Sequence, residues 1–218
     1  MTGAADKQAG TRTGRYASGL IGLLVIAGTV TLAVSWMERE TRDEIAANEL
    51  AHTLAVIATV LPPGSYDNRP ESDVRLVTDS ELLGSSAALP VYTARANGEV
   101  VANVLTVEAP DGYVSTIRLL VGIDRSGAIT GVRAISHRET PGLGDRIEAG
   151  KADWILGFNG RRQSANDAAI ALRQDGGDID QISGATITSR AVSNAVANAL
   201  RFYAANQPML LTPAATRK

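Results

Sequence analysis

Residues 175–200 read DGGDIDQISGATITSRAVSNAVANAL, a polar, hydroxyl-rich entrance followed by an alanine-rich run. Its second half predicts a helix over Ser189–Ala205, because Val192, Ala195, Val196, Ala199 and Leu200 recur on one face at the helical period. Its first half places Ser183, Thr186, Thr188, Ser189 and Ser193 around a Gly184-Ala185 pair, with Asp180 just upstream. Hydroxyls at a helix entrance have three readings. They can cap backbone N–H groups that have no partner in the first turn, with Gly184 turning the chain. One threonine can act as a nucleophile, but no base stands nearby in sequence, and His52 and His137 are distant. Finally, the partial positive charge and free N–H groups of a helix N-terminus hold a phosphate well, and a phosphate ester on a threonine would meet those donors directly. The residues alone leave the three open.

Upstream, the chain alternates short β-rich runs with turn chemistry. DVRLVTD and LPVYTARA read as short strands separated by a polar connection over Ser80–Ala87. A third strand runs through Val100–Val107 to a Pro110-Asp111-Gly112 turn. Ile117–Ile123 and Ile129–Ile135 form a hairpin, with DRSG supplying its turn. RETPGLGDRIE reads as a loop, and ADWILGF and AIALRQ as short helices or irregular packing. The fold class expected is α+β, one domain with a largely antiparallel sheet and flanking helices over residues 65–206, followed by a tail over 207–218.

The first residues describe something else. Ala17–Trp36 is a run without charge, and at about 1.5 Å per residue it spans ~30 Å, the hydrocarbon thickness of a bilayer. Tyr16 and Trp36 suit its two interfaces, so a transmembrane helix is expected over 16–37 behind a cytoplasmic tail at 1–15. A cleaved signal peptide is the alternative, but the apolar run is long for one. Lys7, Arg12 and Arg15 before the run against Arg39 and Arg42 after it favour an inside N-terminus and a periplasmic main domain. The span has no ionisable side chain, and Thr29, Thr31 and Ser35 read as helix-packing contacts. Residues 38–64 predict a connecting helix with Leu50, Leu54, Ile57 and Leu61 along one stripe and His52 off it, stopped by Pro62-Pro63-Gly64.

Composition removes several classes of function. With 218 residues, no cysteine and two histidines, the chain carries no disulfide, thiolate metal site or iron–sulfur cluster of its own. A net charge of -2 offers no footprint for nucleic acid. Any electron or group transfer therefore rests on an organic cofactor.

Asp180-Gln181-Ile182-Ser183-Gly184-Ala185-Thr186 resembles the motif D-x-x-(S/T)-G-A-(T/S) of proteins to which a flavin transferase attaches FMN. In that family the hydroxyl after Gly-Ala carries the phosphoester, which implies Thr186 here, with Thr188 and Ser189 as neighbours. The segment APDGYVSTIRLLVGIDRSGAITGVRAISHRETPGLGDRIE, followed by ADWILGF, is similar to the G subunit of the Rnf ion-translocating electron-transport complex, as is the layout of tail, span and flavin domain. Ser115-Thr116 is a mild departure, standing where relatives often have small residues. This resemblance implies an electron-relay subunit of a bacterial inner-membrane complex that couples ferredoxin/NAD electron transfer to ion translocation. It implies covalent FMN, other membrane subunits as partners, and a flavin transferase during maturation. The C subunit of the sodium-translocating NADH:quinone reductase shares the motif and stays open as an alternative, as does a membrane-anchored module binding a non-covalent anion.

The candidate cofactor residues implied are Thr186, with Asp180, Ser183, Gly184, Ala185 and Thr188 around it. Glu139, Thr140, Gly142, Leu143 and Gly144 of the ETPGLG loop are expected to lie over the flavin, with backbone N–H groups of Gly142–Gly144 near ring or phosphate. Read without the resemblance, that loop is a tight turn set by Pro141 and its glycines. His137 reads as structural. Trp154 and Phe158 read either as core or as partners of the flavin ring.

Overall fold

A computed structural model describes the backbone of residues 6–163 and 168–212, and side chains throughout that range except at 6–21, 38–39, 42–47, 49–50 and 52. The chain divides into two compact parts, Met1–Ala51 and His52–Lys218. Helix α1 runs Asp6–Val60, and its last turns, from His52 on, belong to the second part.

In the first part, α1 exposes a run of large apolar side chains, including Leu23, Val25, Ile26, Leu32, Val34 and Trp36. Thr29 and Thr31 donate to the carbonyls of Val25 and Ala27 one turn back, at 2.9 and 2.8 Å, so neither hydroxyl is left unbonded among those apolar neighbours. Among the described residues no helix is long and apolar enough to cross a membrane. The expected span begins at residue 16, and the side chains of its first six residues lie outside the described set.

The second part is built on one five-stranded sheet in the order β1-β2-β3-β4-β5, antiparallel throughout. The strands are β1 (Val74–Asp79), β2 (Ser85–Ala96), β3 (Glu99–Ala109), β4 (Ile117–Asp124) and β5 (Ile129–Ser136). Strand β2 begins inside the stretch expected as a connection, because Ser85 already pairs with Asp79. The DRSG turn forms as read: Asp124 Oδ1 accepts from Ser126 N–H and Oγ and from Ala128 N–H at 2.8, 2.5 and 3.0 Å.

Both faces of the sheet are covered, so β3 is buried along almost its whole length instead of alternating. Helix α2 (Thr186–Leu210) lies in the core of one face, where Val192, Val196, Leu200 and Phe202 join Leu105, Val107, Leu119, Val121 and Phe158. On the other face Ile57 and Val60 at the end of α1, with Leu61 just after it, pack against Tyr92, Ala94, Val104 and Leu120. Leu54 of the expected stripe packs at the margin of that cluster, whereas Leu50 and His52 have side chains outside the described residues.

Contact on this second face is close enough to demand glycine. A Cβ on Gly131 would stand 2.8 Å from Val60 Cα, and one on Gly122 would stand 2.7 Å from the Val60 carbonyl. Thr130 Oγ1 and the Arg133 guanidinium donate to the last carbonyls of α1, at Val60 (2.6 Å) and Thr59 (3.2 Å), and so close its C-terminus.

Helix α2 is longer than expected at both ends. It starts at Thr186, not Ser189, and ends at Leu210, past the expected domain limit at 206. Pro208 sits in the last turn, beyond the expected helix end at Ala205, and burial of Leu210 accompanies the helix through it. ADWILGF becomes a 3-10 helix over Asp153–Phe158, whereas only Arg173–Asp175 turns helically near AIALRQ.

Candidate functional site

The N-terminus of α2 opens into a cleft of about 500 Å3, lined by Tyr113, Glu139, Thr140, Leu143, Gly144 and residues 184–188. A second groove of about 520 Å3, lined by Arg133, His137 and Glu148 among others, contains none of the motif hydroxyls. Three segments therefore meet at the cleft: the bend after β3, the ETPGLG loop after β5 and the first turn of α2.

The loop into α2 is held from inside. Gly184 takes φ +80°, a left-handed conformation that favours glycine, and turns the chain into the helix. Ser189 is fully buried, accepting from Ile182 N–H at 3.0 Å and donating to the Ala185 carbonyl at 2.9 Å. Ser193 donates to the Ile170 carbonyl at 2.7 Å. Hydroxyl capping is overturned: the N-cap is Ala185, with no side-chain bond to the helix end, and the Thr188 and Ser189 hydroxyls are engaged elsewhere. First-turn N–H groups thus stand at the cleft without a side-chain cap, beside a positive helix end.

The two threonines separate. Thr188 is 1% exposed and its Oγ1 donates to Glu139 Oε2 at 2.5 Å, so its hydroxyl is consumed. Thr186 is half-buried on the cleft wall, with only a long bond of 3.3 Å from Oγ1 to Gln181 Oε1. Ser183 is exposed and outside the cleft lining. Asp180 is also exposed and outside it; its carboxylate pairs with Arg173 at 3.2 Å and its carbonyl accepts from Trp154 Nε1–H.

Glu139 is buried and also accepts from Val114 and Ser115 N–H, at 3.0 and 3.4 Å. Gly144 makes room for it: a Cβ there would fall 2.9 Å from Glu139 Cβ and 3.1 Å from Thr188 Oγ1. Of the backbone N–H groups expected to face the cleft, that of Gly142 is turned to the Asp145 carboxylate and that of Leu143 into the loop, while Gly144 lines the cleft. Leu143 and Asp145 N–H both bond back to the Thr140 carbonyl, at 3.1 and 3.3 Å, closing the turn on itself. Gly142 does not line the cleft, whereas Leu143 turns its side chain onto the rim.

Behind the loop, His137 Nε2 meets Glu148 at 3.0 Å while Nδ1 accepts from Glu139 N–H at 3.2 Å, a structural position as expected. Asp145 is buried and bonded to Lys151 at 2.9 Å. The hydrogen bond from that ammonium is the main reason its carboxyl titrates below the usual range; burial opposes, while Gly142 N–H and the nearby positive charge add to the lowering. Phe158 is fully buried in the core, Trp154 stands edge-on to it at 5.3 Å on the core margin, and neither lines the cleft.

Sequence reasoning missed Tyr113 and Ile187, which are 65% and 50% exposed and, with Leu143, give the cleft an apolar rim. For Ile187 there was a usable signal: an apolar residue on the helix face opposite the core stripe. Tyr113 carried none beyond an aromatic beside a turn.

Comparison with known proteins agrees with this geometry. Residues 112–201 match the FMN-binding domain family, and that range contains every residue lining the cleft. The chain is 43% identical over 195 residues to the G subunit of the ion-translocating oxidoreductase complex of Pseudomonas aeruginosa, covering 89% of this chain and 90% of the relative. It is 39% identical over 201 residues to the G subunit from Aliivibrio fischeri, covering 92% and 95%, and 42% identical over 173 residues to that from Pseudoalteromonas atlantica, covering 79% and 80%. At this identity and coverage, the chain belongs to the family of G subunits of the ion-translocating oxidoreductase complex.

Proposed function

We propose that this chain is the electron-relay subunit of a membrane complex that couples ferredoxin/NAD electron transfer to ion translocation, and that it carries FMN as a phosphoester on Thr186. One observation carries the attachment. Thr186 is the hydroxyl in this cluster that both stands on the cleft wall and remains outside the buried hydrogen-bond network, while the adjacent helix end lacks a side-chain cap.

The chemistry of the site suits the group. A cleft of about 500 Å3 lies within the ~300–1,000 Å3 typical of small-molecule sites. Uncapped N–H groups at the start of α2 suit a phosphodiester monoanion, and the rim of Tyr113, Leu143 and Ile187 suits a planar apolar ring. When bound, FMN supplies one- and two-electron redox chemistry. The residues hold it, keep water from part of its surface and fix its place relative to the sheet.

Maturation by a flavin transferase fits the exposed Asp180, which lies outside the cleft lining and is open to a second protein. The run of exposed apolar side chains between Leu23 and Met37 supports a membrane-anchored chain with membrane partner subunits, and Lys7, Arg12 and Arg15 before the run against Arg39 and Arg42 after it support a periplasmic flavin domain.

The test is peptide mapping of the full chain co-expressed with a flavin transferase. The peptide containing Thr186 is expected to carry the added FMN mass, Thr186→Ala to abolish it, and Thr188→Ala to retain it. A bare peptide from the matured wild-type chain defeats the assignment.

A further inference from the structure

Glu139 is a buried acid whose hydrogen bonds all come from neutral donors. Its Oε2 accepts from the Thr188 hydroxyl at 2.5 Å, and its Oε1 accepts from Val114 and Ser115 N–H at 3.0 and 3.4 Å. Three donors shared between both oxygens match a carboxylate that accepts at each of them. Among the described residues it makes no ion pair: the Lys151 ammonium is turned to Asp145 and Glu148, and the His137 ring to Glu148. The carboxylate is packed between two glycines. A Cβ on Gly144 would stand 3.0 Å from Oε2, so glycine there leaves room for the carboxylate; one on Gly112 would stand 3.1 Å from Oε1, although it would meet the Ser115 carbonyl first, at 2.0 Å.

The three segments bonded through this carboxylate are the ones that form the cleft. Val114 and Ser115 follow Tyr113, Glu139 opens the ETPGLG loop, and Thr188 lies in the first turn of α2. A fixed negative charge in a water-poor wall acts over several ångströms with little screening, and it opposes the addition of an electron to a neighbouring group.

We propose that Glu139 and Thr188 are positioning residues of the flavin cleft: the hydrogen-bonded pair locks its three walls together and sets a fixed negative charge in the wall, which lowers the reduction potential of the bound flavin. This rests on the flavin reading above.

The full chain, matured with a flavin transferase, is compared with Glu139→Gln, Thr188→Val and Thr188→Ser at one pH. Intact mass reports whether FMN is attached, and spectroelectrochemical titration reports the flavin's potential. Glu139→Gln is expected to retain the FMN mass and to shift the potential upward by removing the charge; Thr188→Val, which leaves the charge but removes the donor that fixes its place, is expected to retain the FMN mass and to move the potential from the wild-type value. Thr188→Ser, which keeps the hydroxyl, is expected to titrate as the wild type. A wild-type potential in either loaded variant overturns the proposal while leaving the flavin reading intact; a wild-type chain without FMN mass overturns both. Should Glu139→Gln fail to fold, the shift in Thr188→Val decides alone.

Discussion

Within ten residues the chain carries four hydroxyls, Thr186, Thr188, Ser189 and Ser193, that sequence cannot rank and packing can. Ser193 and Ser189 spend theirs on backbone carbonyls, Thr188 on a carboxylate 49 positions away, and Thr186 keeps its own at the cleft wall. Ser189 is the internal fastener of this arrangement. Its replacement by alanine leaves the buried Ile182 N–H without its partner, so Ser189→Ala is expected to cost about 1–3 kcal/mol, read as a lower urea midpoint. An unchanged midpoint would mean the loop does not depend on that bond. The motif residues themselves were legible, because Asp180 to Thr186 are contiguous. The Thr188–Glu139 contact was not, because nothing local joins a loop after β5 to a helix turn so far along the chain.

At the scale of elements, hairpins were the most readable feature. Strand runs separated by DRSG predicted β4 and β5 nearly to the residue, since Asp124 and its turn bonds act within four positions. Asn97-Gly98, with φ of 52° and 82°, is the same kind of local signal between β2 and β3. Helix ends were less readable: α2 runs on through Pro208 to a buried Leu210, past the expected end at Ala205. The seating of α1's last turn on the sheet is a further element-level contact, and it has a sharp test. Gly131→Ala pushes a methyl group against Val60, and overpacking of this kind is expected to cost about 1–3 kcal/mol, measured by chemical denaturation. The same substitution at Gly127, where an added Cβ meets nothing but φ is +83°, separates backbone strain from the clash.

For the whole molecule, acid is the condition that loosens the fold. The carboxyls of Asp145 and Asp175 are held below their usual range, first by hydrogen bonds from Lys151 and Arg190 respectively. At Asp124 burial pushes upward, but bonds from Ser126 and Ala128, with Arg162 nearby, outweigh it and leave the carboxyl lowered. A depressed folded pKa stabilises fully above the unfolded value, near 4 for aspartate, and that contribution disappears as pH falls through the folded value. Urea midpoints are therefore expected to be level from neutral pH to about pH 5 and to fall below about pH 4, less steeply in Asp145→Asn. Anchorage is tested on the full chain as well: membranes washed with alkaline carbonate are expected to retain it, and detergent to release it. Release by carbonate alone would contradict a spanning segment.

The family, the α+β class, the hairpins and the motif ending at Thr186 were legible in the chain alone, because each rests on residues adjacent in it. Packing settled which hydroxyl faces the cleft, that α2 is left without a side-chain cap, that Phe158 lies in the core with Trp154 against it and that Glu139 is bound by Thr188. Those outcomes depend on contacts between segments far apart in sequence. Burial there fixes which polar groups satisfy one another and which remain available to a ligand.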